Sequence, residues 1–409
     1  RALTVAGCDI YHPTQDYLTG TEIAFGGDLT RSLKKDNYFV LETEAQGFPQ
    51  WTPYDGQLRL QAFSHLASGA NMVEYWHWHS IHNSFETYWK GLLSHDFKEN
   101  EMYRAAKQIG LEFAGLGPHL INLKKHNRVA LLLSNESLTA LDWFPIRENE
   151  DGSKFRYNDV VRYIYDALYE MNVECDILWP ESEELSDYDL LILPALYTAD
   201  EKLLLRIADY VEQGGHLLAT FKTAFTDENV KVYSDVQPHI LNRCFGVSYS
   251  HFTYPNHLQL ATDHYSCGER EVLGFLELLN VEQNGVQVLA TYDHPSWGRF
   301  AAVTRNTCGK GTATYLGCQT TKAMLKEILR DTLNDAGIAD TADRPEFPVI
   351  IRTGINQFGK EIIYYLNYSP KEQIVTYQGI DGVELFGDTP VKEGETVHIP
   401  AWDLKIIER

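Results

Sequence analysis

A pair of carboxylates and a group of aromatic rings near the start of the 409-residue chain are the side chains best suited to chemistry. Glu42 ends the apolar run Tyr38-Phe39-Val40-Leu41 and is followed by Glu44, Gln46 and Trp51. A carboxylate held at a strand end can attack an anomeric carbon, form a glycosyl-enzyme intermediate and be released by water. It needs a second carboxyl about 5 to 5.5 Å away as acid and base. Tyr11, at the end of an earlier strand, is placed to donate a hydrogen bond to that carboxylate and keep it ionised. A solvated loop carboxylate is the competing reading of Glu42. Glu44 can share a strand face with Glu42, but two acids on one strand approach from the same side and cannot flank a scissile bond. A structural or water-binding role is expected for Glu44. His77, His79 and His82 suggest a metal site, because histidines at i and i+2 can chelate from one strand face. No acidic or cysteine partner has suitable spacing, so they read instead as the polar rim of a sugar pocket.

The elements that must carry these groups follow from the apolar pattern. Tyr38 to Leu41 runs into Glu42, and Ala70 to Trp76 runs into His77-Trp78-His79. Between them, Leu58, Leu60, Ala62, Phe63, Leu66 and Ala67 give approximate helical spacing over 56–68. Strand, helix, strand is a parallel crossover unit with functional residues at the carboxyl ends of its strands, as in a (β/α)8 barrel. Residues 1–122 have room for only about three of the eight units. From Asn127 the pattern changes. Arg128 to Leu133, Val173 to Leu178, Tyr188 to Leu193 and His216 to Phe221 read as strands. Tyr157, Val160, Val161, Ile164, Tyr165 and Leu168 mark one helix face, and a second helix from Asp200 stops at Gly214-Gly215. A doubly wound parallel sheet is expected over 123–342. The residues after its first strand, Ser134-Asn135-Glu136-Ser137, offer no phosphate cradle, and no Cys or Ser nucleophile elbow follows any strand. After Pro345, short strands at 349–352, 361–366, 373–377, 383–386, 396–399 and 404–407 predict a small antiparallel β domain over 343–409.

Composition narrows the classes. The length exceeds the roughly 250 to 300 residues of a single core, so two or three domains are expected. The net charge of −22 disfavours nucleic acid and anionic membrane surfaces as partners. No apolar run approaches the ~20 residues that span a bilayer. Six widely spaced cysteines lack zinc-ligand spacing, so reduced thiols and no metal are predicted. The chain begins at Arg1 and enters an apparent core strand at once, so an upstream segment is expected.

The runs Cys8-Asp9-Ile10-Tyr11-His12-Pro13, Val40-Leu41-Glu42, Tyr75-Trp76-His77-Trp78 and Glu86-Thr87-Tyr88-Trp89-Lys90-Gly91-Leu92, in this order, resemble the second part of the barrel in glycoside hydrolase family 42 β-galactosidases. The order of the later segments is similar too. In that family an α/β domain resembling class I glutamine amidotransferases, without their catalytic residues, follows the barrel, and a small β domain follows it. The resemblance implies a partial (β/α)8 barrel, then a doubly wound amidotransferase-like α/β domain, then a small antiparallel β domain of sandwich or barrel type.

The resemblance also implies roles. Glu42 matches the nucleophile, and Tyr11 the aromatic of the family's Asp-x-Tyr-Pro turn, with His12 inserted before the proline. Trp51 matches the tryptophan lining the galactose subsite, and Glu86 an acid that bonds sugar hydroxyls. Trp89 falls where many members have His, and Trp76 takes the place of a Phe packed near the sugar. The family's acid/base lies in an Asn-Glu pair on an earlier strand, which this chain lacks. Asn135-Glu136 is rejected because it follows the first strand of the middle domain. The implied function is a retaining β-galactosidase acting on terminal β-D-galactosides, incomplete as this chain, with no cofactor. A homotrimer in the cytoplasm is expected. The alternative is a non-catalytic carbohydrate-binding or assembly protein of the same architecture.

Overall fold

Apolar strands that pair in parallel need crossover helices to return the chain, and the first segment is built this way. The computed structural model describes residues 3–338 and 344–409. In it β1 (Gly7–Asp9), α1 (Thr21–Ser32), β2 (Tyr38–Glu44), α2 (Gln57–Ala67) and β3 (Ala70–Trp76) follow one another, and the strands form a parallel sheet of order β1-β2-β3. Ala6, Ile10, Tyr38, Val40 and Ala70 make its core. Almost every residue of α2 is buried, because the helix packs on β3, on α3 (Glu101–Leu120) and on the strand Glu361–Asn367. Its polar residues Gln61 and His65 are carried inside with it.

The described residues divide into two compact units. One runs up to His126 and also contains Tyr169–Asn172 and Arg344–Arg409. The other holds Asn127–Leu168 and the described residues 173–338. The expected boundary at 342–343 lies outside the described residues. Within the first unit, the C-terminal strands form an antiparallel sheet in the order Val349–Ile355, Glu361–Asn367, Leu404–Glu408, Gly382–Glu384, Thr389–Val391. A two-stranded ladder of Gln373–Thr376 and Thr396–Ile399 adds Val375, Val397 and Ile399 to the same core as Val349, Ile363 and Ile407.

In the second unit five strands run parallel in the order Cys175–Leu178, Val129–Leu132, Leu190–Leu193, His216–Thr220, Gly311–Leu316. This is the doubly wound order in which the first strand lies inside and the chain reverses direction across it. The sheet does not stop there. A tight turn at Gly309, whose φ is +62°, leads from Ala301–Cys308 into Gly311–Leu316. Val272–Val281 and Val247–Thr253 then extend the sheet in antiparallel fashion. The expected doubly wound parallel sheet is present, and an antiparallel extension that was not expected makes the whole sheet mixed. Among the described residues no helix is long and apolar enough to cross a membrane.

Candidate active site

The carboxyl ends of β1 to β3 carry the residues singled out above. Pairing slips between Cys8 and Asp9 on β1 and between Val40 and Thr43 on β2, and such irregularities re-aim side chains at strand ends. Asp9 stands opposite Glu42, and the next amide, Ile10 N–H, donates to the Glu42 carbonyl at 2.9 Å. Tyr11 then turns its hydroxyl onto Glu42 Oε1. Burial, and after it the hydrogen bond to Glu42, push the Tyr11 phenol far above its ordinary range, so it stays protonated and acts as donor. Glu42 itself is half-buried. Glu44 lies deeper, 1% exposed, and its Oε1 is 3.1 Å from His12 Nδ1.

Four aromatic rings surround this strand end. Phe48 is central, with ring centroids 5.8 Å from Tyr11, 5.3 Å from Trp51 and 4.5 Å from Trp89. Its contacts with the two tryptophans are edge-to-face, at 74° and 71°, and favourable at such spacings. Polar bonds tie the loops carrying the rings together. Lys90 Nζ donates to the Trp51 carbonyl and to Thr52 Oγ1, both at 2.7 Å, and Gln46 Nε2 donates to the Gly91 carbonyl at 2.8 Å. Two glycines permit the close approach. Gly47 adopts φ +71°, and a Cβ on Gly91 would lie 2.6 Å from the His77 carbonyl oxygen.

Trp76, at the end of β3, stands apart from this group. It is 37% exposed and its ring neighbour is His77 at 4.9 Å. Glu86 is half-buried, in a turn where its carbonyl accepts the Trp89 amide at 2.9 Å. His77 links the two acids electrostatically. Burial and then His79 hold its pKa down, while Glu86 and Glu42 both act to raise it. The structure thus gathers Tyr11, Glu42, Trp51 and Trp89 around Phe48, places Glu86 and Glu42 within electrostatic reach of His77, and leaves Trp76 beside that histidine. Phe48 escaped the sequence reading, and His12 and Lys90 stood in its motif runs with no role assigned to them. Phe48 falls in Gly-Phe-Pro between Glu42 and Trp51, but an aromatic in a loop is too common to single out.

The remaining histidines of the loop are held by main-chain carbonyls. His82 Nε2 is 2.6 Å from the His95 oxygen, and His95 Nε2 is 3.0 Å from that of Ile81. No cluster of three or more metal-ligating side chains exists among the described residues, and the six cysteines are free thiols. Glu136 sits in the first turn of the helix Asn135–Trp143, where it accepts from Ser134 Oγ at 3.2 Å.

The second unit holds a buried pair of its own. After the strand His216–Thr220, Lys222 adopts φ +65°, and its ammonium lies 3.8 Å from the Phe252 ring centroid and 4.2 Å from that of Phe225. Its amide donates to Glu277 Oε1 at 2.8 Å, and Tyr315 Oη donates to Oε2 at 2.8 Å. Burial lowers the Lys222 pKa to about 8 and raises that of Glu277 to about 7.

A family model described as β-galactosidase matches residues 3–116, and one described as β-galactosidase trimerisation domain matches 127–339. β-Galactosidase LacZ of Heyndrickxia coagulans is 25% identical over 388 residues, covering 93% of this chain and 56% of the relative. The chain thus spans a little over half the length of that curated relative. The crystal structure of β-galactosidase from Bacillus circulans sp. alkalophilus superposes with a TM-score of 0.89 at 22% identity, over all of this chain and 60% of that one. A catalytic mutant of Gan42B, a GH42 β-galactosidase from G. stearothermophilus, does so with a TM-score of 0.88 at 19% identity and the same coverage. At those identities the two structures speak to the fold. The trimerisation-domain model alone covers more than half of the chain, and the chain belongs to the glycoside hydrolase family 42 β-galactosidases.

Proposed function

We propose that this chain supplies the nucleophile side of a retaining β-galactosidase acting on terminal β-D-galactosides. Supporting this reading above all is the hydrogen bond from Tyr11 to Glu42 at the carboxyl end of a parallel strand, beside the aromatic group centred on Phe48. A Glu42 oxygen attacks the anomeric carbon as the bond to the leaving oxygen breaks, and Tyr11 holds the other oxygen. Water then releases the sugar with retention. Trp51 and Trp89 offer ring faces to the C–H face of galactose, Glu86 accepts from its hydroxyls, and Trp76 packs near it. Protonation of the leaving oxygen, typically worth ~10²- to 10⁴-fold, needs a carboxylic acid opposite Glu42. Glu44 shares β2 with Glu42 and is engaged by His12, so we assign the acid/base to a segment outside these 409 residues. The domains we assign are 1–122, 123–342 and 343–409, with 123–342 assembling three copies in the cytoplasm. No cofactor enters the reaction.

The test is to treat the complete polypeptide with a 2-fluorogalactosyl fluoride and map the labelled peptide by mass spectrometry. Label on Glu42 is expected, and label on another residue refutes the assignment. The second reading, a non-catalytic carbohydrate-binding or assembly protein, is favoured by the engagement of Glu44. It predicts galactose binding with no label at all.

A further inference from the structure

Glu44 and His12 face each other almost entirely out of water, 1% and 2% exposed. One oxygen, Glu44 Oε1, accepts the His12 backbone N–H at 3.3 Å and lies 3.1 Å from ring Nδ1. Nδ1 also lies 3.1 Å from the Pro13 carbonyl oxygen. With two acceptors before it, this nitrogen carries the ring proton. A hydrogen bond to a carboxyl oxygen in so dry a place is stronger than one exposed to water. His65 is 6.2 Å away between ring centroids, and His12 Nε2 has no hydrogen-bond partner among the described residues. The orientation of the imidazole is therefore set from the Glu44 and Pro13 side.

The consequence lies one residue back along the chain. Tyr11 precedes His12, and its hydroxyl rests on Glu42, two residues before Glu44 on β2. β2 thus grips the 11–13 turn at two points, Glu42 through Tyr11 and Glu44 through His12. We propose that Glu44 and His12 are positioning residues that lock this turn so that the Tyr11 hydroxyl stays on Glu42. The proposal rests on the reading of Glu42 as the nucleophile. Misplacement of a catalytic group by about 1 Å can cost on the order of 100-fold in rate, and release of His12 frees the backbone that aims Tyr11.

The test uses the complete polypeptide and the rate constant of inactivation by a 2-fluorogalactosyl fluoride, with the inhibition constant of galactose as a control for sugar binding. Glu44→Gln keeps shape but loses charge, His12→Ala loses the ring donor, and His12→Asn returns an N–H near the place of Nδ1. Glu44→Gln should slow inactivation at least fivefold and His12→Ala at least tenfold, with the galactose constant within twofold. His12→Asn should recover to within threefold of the parent. An unchanged rate in Glu44→Gln, or His12→Asn as slow as His12→Ala, overturns the proposal. Where His12→Ala does not fold, Glu44→Gln and His12→Asn decide alone. Label on a residue other than Glu42 in the parent protein is a separate result and refutes the nucleophile assignment.

Discussion

Stability of the second unit should pass through a minimum near pH 7 to 8, and Glu277→Gln should remove its acid side. Glu277 is wholly buried, with its pKa raised from 4.5 to about 7. In the unfolded chain the carboxyl ionises near 4.5, so between 4.5 and 7 the folded state holds the extra proton. Stability is full below 4.5 and is lost as pH rises through about 7. Lys222 behaves oppositely. Its pKa falls from 10.5 to about 8, so its contribution is full above 10.5 and is lost as pH falls through 8. At 1.36 kcal/mol per pKa unit, each side amounts to roughly 3 kcal/mol at most. Both costs arise from burial: the Lys222 ammonium faces phenyl rings in place of water, and the bonds that Glu277 accepts from an amide and a phenol offset only part of the desolvation of its carboxylate. Urea unfolding read peptide by peptide with a deuterium pulse would follow the strand Val272–Val281 from pH 4.5 to 10. Glu277→Gln should flatten the acid side and Lys222→Met the alkaline side. Stability that is level or rising from pH 5 to 7 in the parent chain, or an acid slope retained in Glu277→Gln, would refute the reasoning.

Tyr11→Phe removes a hydrogen bond to a charged acceptor, worth about 1.5 to 3 kcal/mol, and should slow labelling of Glu42 in the complete polypeptide roughly tenfold to a hundredfold. Trp51→Ala should weaken galactose binding by about 1 kcal/mol, near fivefold, measured by calorimetry. Asp28 is wholly buried between Arg31 at 3.0 Å and Arg352 at 2.6 Å. Asp28→Asn withdraws the carboxylate from two buried guanidinium groups and should cost about 3 to 5 kcal/mol in urea unfolding of the first unit. Light scattering of the complete polypeptide at micromolar concentration should give the mass of three chains, and a monomer counts against assembly through 123–342.

Much of the architecture was legible in the sequence because burial on both faces of a strand demands an unbroken apolar run. The strands Val129–Leu132 and Leu190–Leu193, buried throughout, lie inside such runs, the helix Tyr157–Glu170 lies where the 3.6-residue spacing puts it, and the C-terminal strands begin at or within one residue of their expected starts. The antiparallel extension at 247–308 was missed because its strands alternate or change burial midway. Val247 to Tyr249 are buried and Ser250 to Phe252 exposed, a pattern that no single period reports.

The apolar run that carries Glu42 toward the carboxyl end of β2 is a property of a short segment, and sequence alone determined it, whereas the Tyr11 contact spans 31 residues and depends on the pairing of β1 with β2. Depth and proximity were decided by the tertiary structure. Glu42 and Glu44 are alike in a sequence, yet one opens to the aromatic group and the other closes on His12, because side-chain environment depends on what the returning chain brings alongside. Phe48 became the centre of that group only when the loop carrying Trp89 folded onto it, and Glu277 met Lys222 across 55 residues of chain. Such contacts arise from the way strands and loops close in space, and no local residue pattern encodes them.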